Sequence, residues 1–163
     1  MRRHPGLWLA ATLLLIDTSA SAGEVSDRDR FQPWTGCTPI AEIIDDIDGP
    51  GGRLTLDEKD IATAVRSRLR GARIFDDGGL WLVVNVTVSG PAFSVDVELM
   101  RSVEVRPKGT KALAGLAATW ESGSTGTHGN NPNHILFAVL QHVDRFIDEY
   151  LRVNADACRR ISN

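Results

Sequence analysis

The sequence predicts an α+β fold: a two-layer sandwich in which an antiparallel sheet of three or four strands carries two amphipathic helices on one face. Two observations lead to this prediction. Apolar residues recur at helical spacing around Val65 and around Val143, and between these segments they alternate with polar residues. A sheet with one apolar face and helices with one apolar stripe bury both surfaces by packing in two layers.

The first helix is predicted over residues 56–70. Its apolar positions recur every four residues, at Ile61, Val65 and Leu69. Thr55 and Glu58 form a capping-box pattern at its start, because each side chain can hydrogen bond to the backbone amide of the other residue. Gly71 follows the last apolar position and is a typical helix stop.

Three strands are predicted after this helix. Residues 80–88 place Leu82 and Val84 on one face and Trp81 and Val83 on the other. A similar alternation follows over residues 93–100, and the Gly-Pro pair between the two runs predicts an antiparallel hairpin. After a second Gly/Pro break, alternating residues predict a third strand within 112–122.

A long helix is predicted over residues 133–155, preceded by a surface loop. The loop, residues 123–133, contains no apolar side chain and is therefore expected to be exposed. The helix has a continuous apolar stripe made of Ile135, Val139, Val143, Phe146, Ile147, Tyr150 and Leu151. Together these elements follow the order expected of a compact α+β domain.

The segment 40–47 has two interpretations on local evidence. Its isoleucines fit helical spacing, which favours a helix. They are also β-branched and lie between Pro39 and a Gly-Pro-Gly-Gly sequence, which suits a strand equally well. The residue pattern alone leaves this choice open.

The first 22 residues have the pattern of a cleaved secretory signal peptide. Arg2 and Arg3 precede an apolar run over residues 7–16, and Ala-Ser-Ala at 20–22 fits the signal peptidase site. The apolar run is shorter than the roughly 20 residues that a membrane-spanning helix needs. Gly23, rather than a cysteine, follows the site, so we expect a soluble exported protein, periplasmic or secreted, without a lipid anchor.

The rest of the chain is predicted to comprise an extended polar lead-in over residues 23–37 and a single α+β domain over 38–163. Signal removal takes Arg2, Arg3 and Asp17 from 18 basic and 21 acidic residues, leaving a formal net charge of −4. This mildly acidic balance argues against nucleic acid as a partner. No further apolar stretch is long enough to span a membrane, so no integral membrane segment is expected after cleavage.

Two cysteines remain, Cys37 and Cys158, one near each end of the exported chain. In an oxidising compartment an even number of cysteines favours disulfide formation, and two cysteines allow one intramolecular pairing. Two free thiols or an intermolecular bridge are the alternatives. Two cysteines so far apart, without a second pair, predict neither a zinc site nor a redox motif.

Four segments of the chain together resemble a widespread group of small exported bacterial proteins of unknown function. The shared pattern is an L-T helix start, a helix ending in L-R, a hairpin, an A-T-W strand with a Gly-rich turn, and a D-x-F-x-x-x-Y-L-x-x-N helix. Its residues here are Leu54-Thr55, Leu69-Arg70, Ala118-Thr119-Trp120, and Asp144 to Asn154. The layout is also similar to the N-terminal domain of the periplasmic protein TolB, which implies a strand at 40–47. No activity comes with either resemblance.

The predicted loop is the first candidate functional site. Its backbone amides lie next to a helix N-terminus and could bind an anion. The candidate ligand residues are Ser124, Thr125, Thr127 and His128. The competing interpretation is a connecting loop whose asparagines cap the following helix.

The histidines and serines predict no catalytic residues, metal site or cofactor. His134 and His142 lie eight residues apart on one helix, too far along it to share a small metal ion, and we expect them to face solvent. Ser122, Ser124 and His128 lie near one another in sequence, but no G-x-S-x-G elbow supports them. No nucleophile, base and orienting residue can be named together.

The candidate partner surface consists of Trp81 and Val83, on the sheet face opposite Leu82 and Val84. An exposed aromatic residue there would indicate an interaction site, whereas burial under the lead-in would remove it. The first hypothesis is therefore a non-catalytic periplasmic accessory domain that binds an envelope protein. The alternative is a small-ligand-binding protein or weak enzyme that uses residues 123–134.

Overall fold

The structure is a computed structural model and describes residues 33–48 and 56–161. The predicted signal peptide and most of the lead-in lie outside these residues. The elements, in chain order, are β1 (Ile40–Asp48), α1 (Glu58–Gly71), β2 (Leu80–Ser89), β3 (Ala92–Val105), β4 (Leu113–Thr127) and α2 (Pro132–Ile161). The predicted α+β class is confirmed.

The four strands form one mixed sheet in the order β1-β2-β3-β4. The pairs β2–β3 and β3–β4 are antiparallel, as predicted. Segment 40–47 is a strand, which settles the choice that local evidence leaves open. It pairs parallel with β2, with Ile40 opposite Leu80, whereas an antiparallel sheet was predicted. The parallel direction follows from the connection, because α1 carries the chain back to the starting edge before β2 begins.

The turn between β2 and β3 is short and well defined. Ser89 pairs with Ala92, so only Gly90 and Pro91 form the turn. Gly90 has φ +57°, a conformation that glycine adopts without steric cost, and the proline ring fixes the next φ near −65°. This is the pattern of a type II′ turn, whose twist matches that of the flanking strands. The predicted Gly-Pro hairpin is confirmed.

Both helices pack on the same face of the sheet, here called the covered face. Arg66 of α1 forms an ion pair with Glu42, which lies beside Leu82 in the register. On β4, Trp120 lies opposite Leu99 and makes an edge-to-face contact with Phe146 of α2, with ring centroids 5.1 Å apart. The described strand residues buried on this face are Ile40, Leu82, Val84, Val86, Val88, Phe93, Val95, Val97, Leu99, Trp120 and Ser122. The helices cover them with the apolar stripes that the sequence predicts, except for Leu151, which is 42% exposed rather than part of the buried stripe of α2.

The two ends of the described chain are joined by a covalent bond and a buried amide. Cys37 and Cys158 form the predicted disulfide. Asn154, fully buried in α2, donates to the Pro33 carbonyl at 2.7 Å and accepts from the Thr35 amide at 2.8 Å. The last residues of the lead-in are therefore held against α2.

Two predicted boundaries differ from the structure. The first helix begins at Glu58 with Asp57 as its N-cap, whose carboxylate accepts from the Lys59 amide at 3.1 Å. Thr55, the first residue of the predicted capping box, lies outside the described residues. The last helix extends to Ile161 rather than residue 155. Within the described parts of the chain, no helix combines the length and the apolar character needed to cross a membrane.

The predicted loop 123–133 is wrong over residues 123–127, which continue β4 along β3, although Gly123, Ser124, Thr125 and Thr127 are exposed as expected. Glycine replaces apolar side chains here because the space is already filled. A Cβ on Gly126 would lie 2.9 Å from the Phe93 ring, so the ring packs directly on the glycine backbone. A strand can therefore continue without apolar residues of its own when its neighbour supplies the covering side chain.

Candidate docking surface on the open face

The second face of the sheet has no helix over it and is here called the open face. It carries the strand residues that alternate with the buried ones: Ala41 and Ile43 in β1, Trp81, Val83, Asn85 and Thr87 in β2, Ser94, Asp96, Glu98, Met100 and Ser102 in β3, and Leu116, Ala118, Glu121 and Thr125 in β4. The candidate residues Trp81 and Val83 both lie on it, as the alternation predicts.

One end of the open face is apolar. Trp81 is 43% exposed, and Met100 lies directly opposite it on β3. Leu116, 53% exposed, lies nearby on β4 because its partner Ser102 is two residues from Met100. A shallow groove of about 310 Å³ passes between these side chains and Gly79. Large apolar side chains gathered around a groove are typical of a surface that another molecule covers.

The middle of the open face is acidic. Glu98 and Glu121 lie directly opposite each other on β3 and β4, and Asp96 follows two residues along. Like charges at directly opposed positions of a sheet destabilise the pairing. None of the open-face residues named above is lysine or arginine. The acidic middle thus places three carboxylates beside the apolar end.

The described part of the lead-in leaves Trp81 uncovered. Residues 33–37 pack on α2, through Asn154 and the disulfide. The Trp34 carbonyl accepts a hydrogen bond of 3.0 Å from Arg101, a residue that alternates with those of the open face. The proposed burial of Trp81 by the lead-in therefore has no support from residues 33–37, and residues 23–32 lie outside the described chain.

The candidate ligand loop is largely a strand. Ser124, Thr125 and Thr127 lie on β4. His128 follows the strand but is buried, and both of its ring nitrogens have partners. Its Nδ1 accepts from the Asn130 amide at 3.0 Å, which leaves Nε2 to donate to the Gly90 carbonyl at 2.8 Å. His128 thus links the β2–β3 turn to the segment just before α2. The exposed position expected for His128 is wrong.

The capping role is confirmed for Asn131. The Asn131 side chain accepts from the Asn133 amide at 3.1 Å, immediately before α2. Pro132 occupies the first helical position, where its missing N–H is not needed. The end of the predicted loop therefore serves the helix.

The structure brings together a cluster that the sequence does not indicate. His142 of α2 was expected to face solvent, but it lies over β4 between two serines. Its Nδ1 is 2.8 Å from Ser122 Oγ and its Nε2 is 2.9 Å from Ser124 Oγ. Partial burial, and then the positive charge of Arg145, lower the pKa of His142 from its ordinary value. In the sequence, only the two-residue spacing of Ser122 and Ser124 indicates that their side chains lie on the same face of a strand. His134 is exposed, as expected.

Among the described residues, no group of three or more His, Cys, Asp or Glu side chains lies close enough to hold a metal ion. Comparison of the chain with protein-family models, with curated proteins and with solved structures finds no match.

Proposed function

We propose that this protein is an exported accessory domain that binds a protein partner on the open face of its sheet. The observation that carries the proposal is Trp81, a large aromatic side chain exposed beside Met100 and Leu116 on a face without a helix. The signal-peptide pattern and the Cys37–Cys158 disulfide support an oxidising compartment outside the cytoplasm. An envelope protein is the expected partner.

The chemistry of the open face defines what the partner must present. Trp81 and its groove fit an apolar side chain, and tryptophan is among the residues that most often dominate binding energy at interfaces. The opposed Glu98 and Glu121 repel each other in the free protein, and a positive charge placed between them would relieve that repulsion. The proposed occupant is therefore a protein segment with an apolar anchor flanked by lysine or arginine.

The test is affinity capture from envelope extract with three variants of the tagged protein. Trp81→Ala removes the apolar anchor site, and Glu98→Lys with Glu121→Lys reverses the charge of the acidic middle of the open face. Phe137→Ala is the matched control, because Phe137 is a 64% exposed aromatic residue on α2. Mass spectrometry identifies the proteins retained by each variant.

We expect wild type and Phe137→Ala to retain the same identified protein, and both open-face variants to lose it. Retention should also weaken as salt rises, because salt screens the exposed charges. A protein retained equally by all four forms, or no protein retained above background, would contradict the proposal.

A further inference from the structure

Ser122, His142 and Ser124 form a linked row at the junction of β4 and α2, separate from the open face. Both serines lie on the covered face, because Ser122 pairs with Val97 and Ser124 with Val95. Ser122 is buried, whereas Ser124 is exposed at the edge of the sheet. A histidine bonded to one buried and one exposed hydroxyl has the layout of a base held in place beside a nucleophile.

The hydrogen bonds define how such a base would work. A neutral imidazole carries one donor and one acceptor nitrogen. With the proton on Nδ1, His142 donates to Ser122 Oγ, and the Nε2 lone pair faces the hydroxyl of Ser124 at 2.9 Å. Partial burial and the positive charge of Arg145 on α2 lower the pKa of His142 and outweigh the negative charge of Asp96 on β3, which raises it, so the ring is neutral at pH 7, as a general base requires.

The edge of the sheet also supplies a hydrogen-bond donor beside Ser124. The two-residue turn makes Ser89 and Ala92 a hydrogen-bonded pair. Successive residues of β3 bond alternately to β2 and to β4, so Val95 bonds to Ser124, its partner on β4. The amide of Ser124 therefore points to β3, and the amide of Thr125 points to the free edge of the sheet. The amide that follows a nucleophile is one of the donors that stabilise an oxyanion in serine hydrolases.

We propose that Ser124 is a nucleophile toward carboxylic esters, with His142 as its general base and Ser122 as a positioning residue. Ser124 Oγ bonds to the ester carbonyl carbon while its proton passes to His142 Nε2, and the carbonyl electrons move onto oxygen beside the Thr125 amide. When the carbonyl re-forms, the carbon–oxygen bond to the alcohol breaks and the alcohol takes the proton. Water then attacks the acyl group in the same manner, which releases the acid and restores Ser124. The open position at a strand edge favours extended substrates that lie along β4.

An alkyl fluorophosphonate is the probe for the nucleophile. Its phosphorus forms a bond to Ser124 Oγ, the phosphorus–fluorine bond breaks, and fluoride and the serine proton are released. We expect a single adduct on Ser124, located by peptide mass spectrometry, and none in Ser124→Ala. His142→Gln should slow modification by about 10²–10⁴-fold, the usual contribution of a general base. Ser67→Ala, an exposed serine of α1, should react like wild type.

The pH dependence of the wild-type reaction separates catalysis from a structural role. The rate should rise as His142 loses its proton, with a midpoint below the ordinary histidine pKa of about 6.5. This measurement needs no variant, so an unfolded His142→Gln protein would not weaken it. No adduct on the wild-type protein, an adduct on another residue, or a rate independent of pH across this range would overturn the proposal.

Discussion

The two faces of the sheet differ although they share the same strands. In β2, Leu82 and Val84 are fully buried under the helices, while their neighbours Trp81 and Val83 reach the open face. On the covered face, polar side chains have partners, as the Trp120 indole bonds to Glu149 at 2.8 Å. The open face combines an exposed tryptophan with two glutamates at directly opposed positions. The covered face thus supplies the stability of the fold, and the open face carries the exposed side chains on which the proposal of partner binding rests.

The largest effect should come from the disulfide that holds the lead-in against α2. Replacing Cys37 and Cys158 by serine frees a loop of about 120 residues in the unfolded chain, which should lower the free energy of unfolding by about 4–5 kcal/mol. Denaturant titration measures this difference. Reductant should destabilise the wild-type protein similarly and leave the double variant unchanged. A loss below about 1 kcal/mol would show that the bond contributes little to the fold.

Leu82→Ala and Trp81→Ala compare the two faces at adjacent positions of β2. The first variant leaves a cavity in the core and should cost about 2–5 kcal/mol of unfolding free energy. The second removes a side chain that is 43% exposed and should cost under about 1 kcal/mol. Denaturant titration of both proteins tests the difference, and equal losses would mean that Trp81 is buried in the intact chain.

Protonation of His142 should have a smaller effect on stability. Its folded-state pKa is lowered, so protons bind the unfolded chain more readily than the folded one. The stability that this gives is complete above about pH 6.5, the unfolded pKa, and declines as the pH falls through the folded pKa. Thermal unfolding between pH 7.5 and pH 4.5 should therefore show a decline that is reduced in His142→Gln. Identical profiles would contradict the assignment.

The smallest effect concerns the opposed glutamates of the open face. Glu121→Gln should stabilise the protein by about 0.2–1 kcal/mol, because it removes a like-charge pair with Glu98. Glu98→Gln should act similarly, and the double variant should gain less than the sum, which a double-mutant cycle detects. High salt should reduce each gain. A destabilised Glu121→Gln protein would indicate that Glu121 has a favourable partner instead.

The sequence predicts the features that depend on local alternation. The assignment of Trp81 and Leu82 to opposite faces needs only the two-residue period of a strand. The parallel pairing of β1 and the meeting of His142 with Ser122 depend on tertiary register, which spacing along the chain does not encode. The pattern of residues 123–127 does not predict a strand, because Phe93 of the neighbouring strand covers Gly126 and no apolar side chain is needed there. A segment whose burial is supplied by another strand has no apolar pattern of its own.

Site-specific photocrosslinking in living cells tests the open face most directly. A photoreactive phenylalanine analogue is placed at Val83, on the open face, or at Phe137, an exposed position on α2. We predict that the probe at Val83 forms a crosslink to one defined protein and that adding Trp81→Ala abolishes it. The probe at Phe137 should give no crosslink to that protein. Equal crosslinking from both positions, or none from Val83, would contradict binding at the open face.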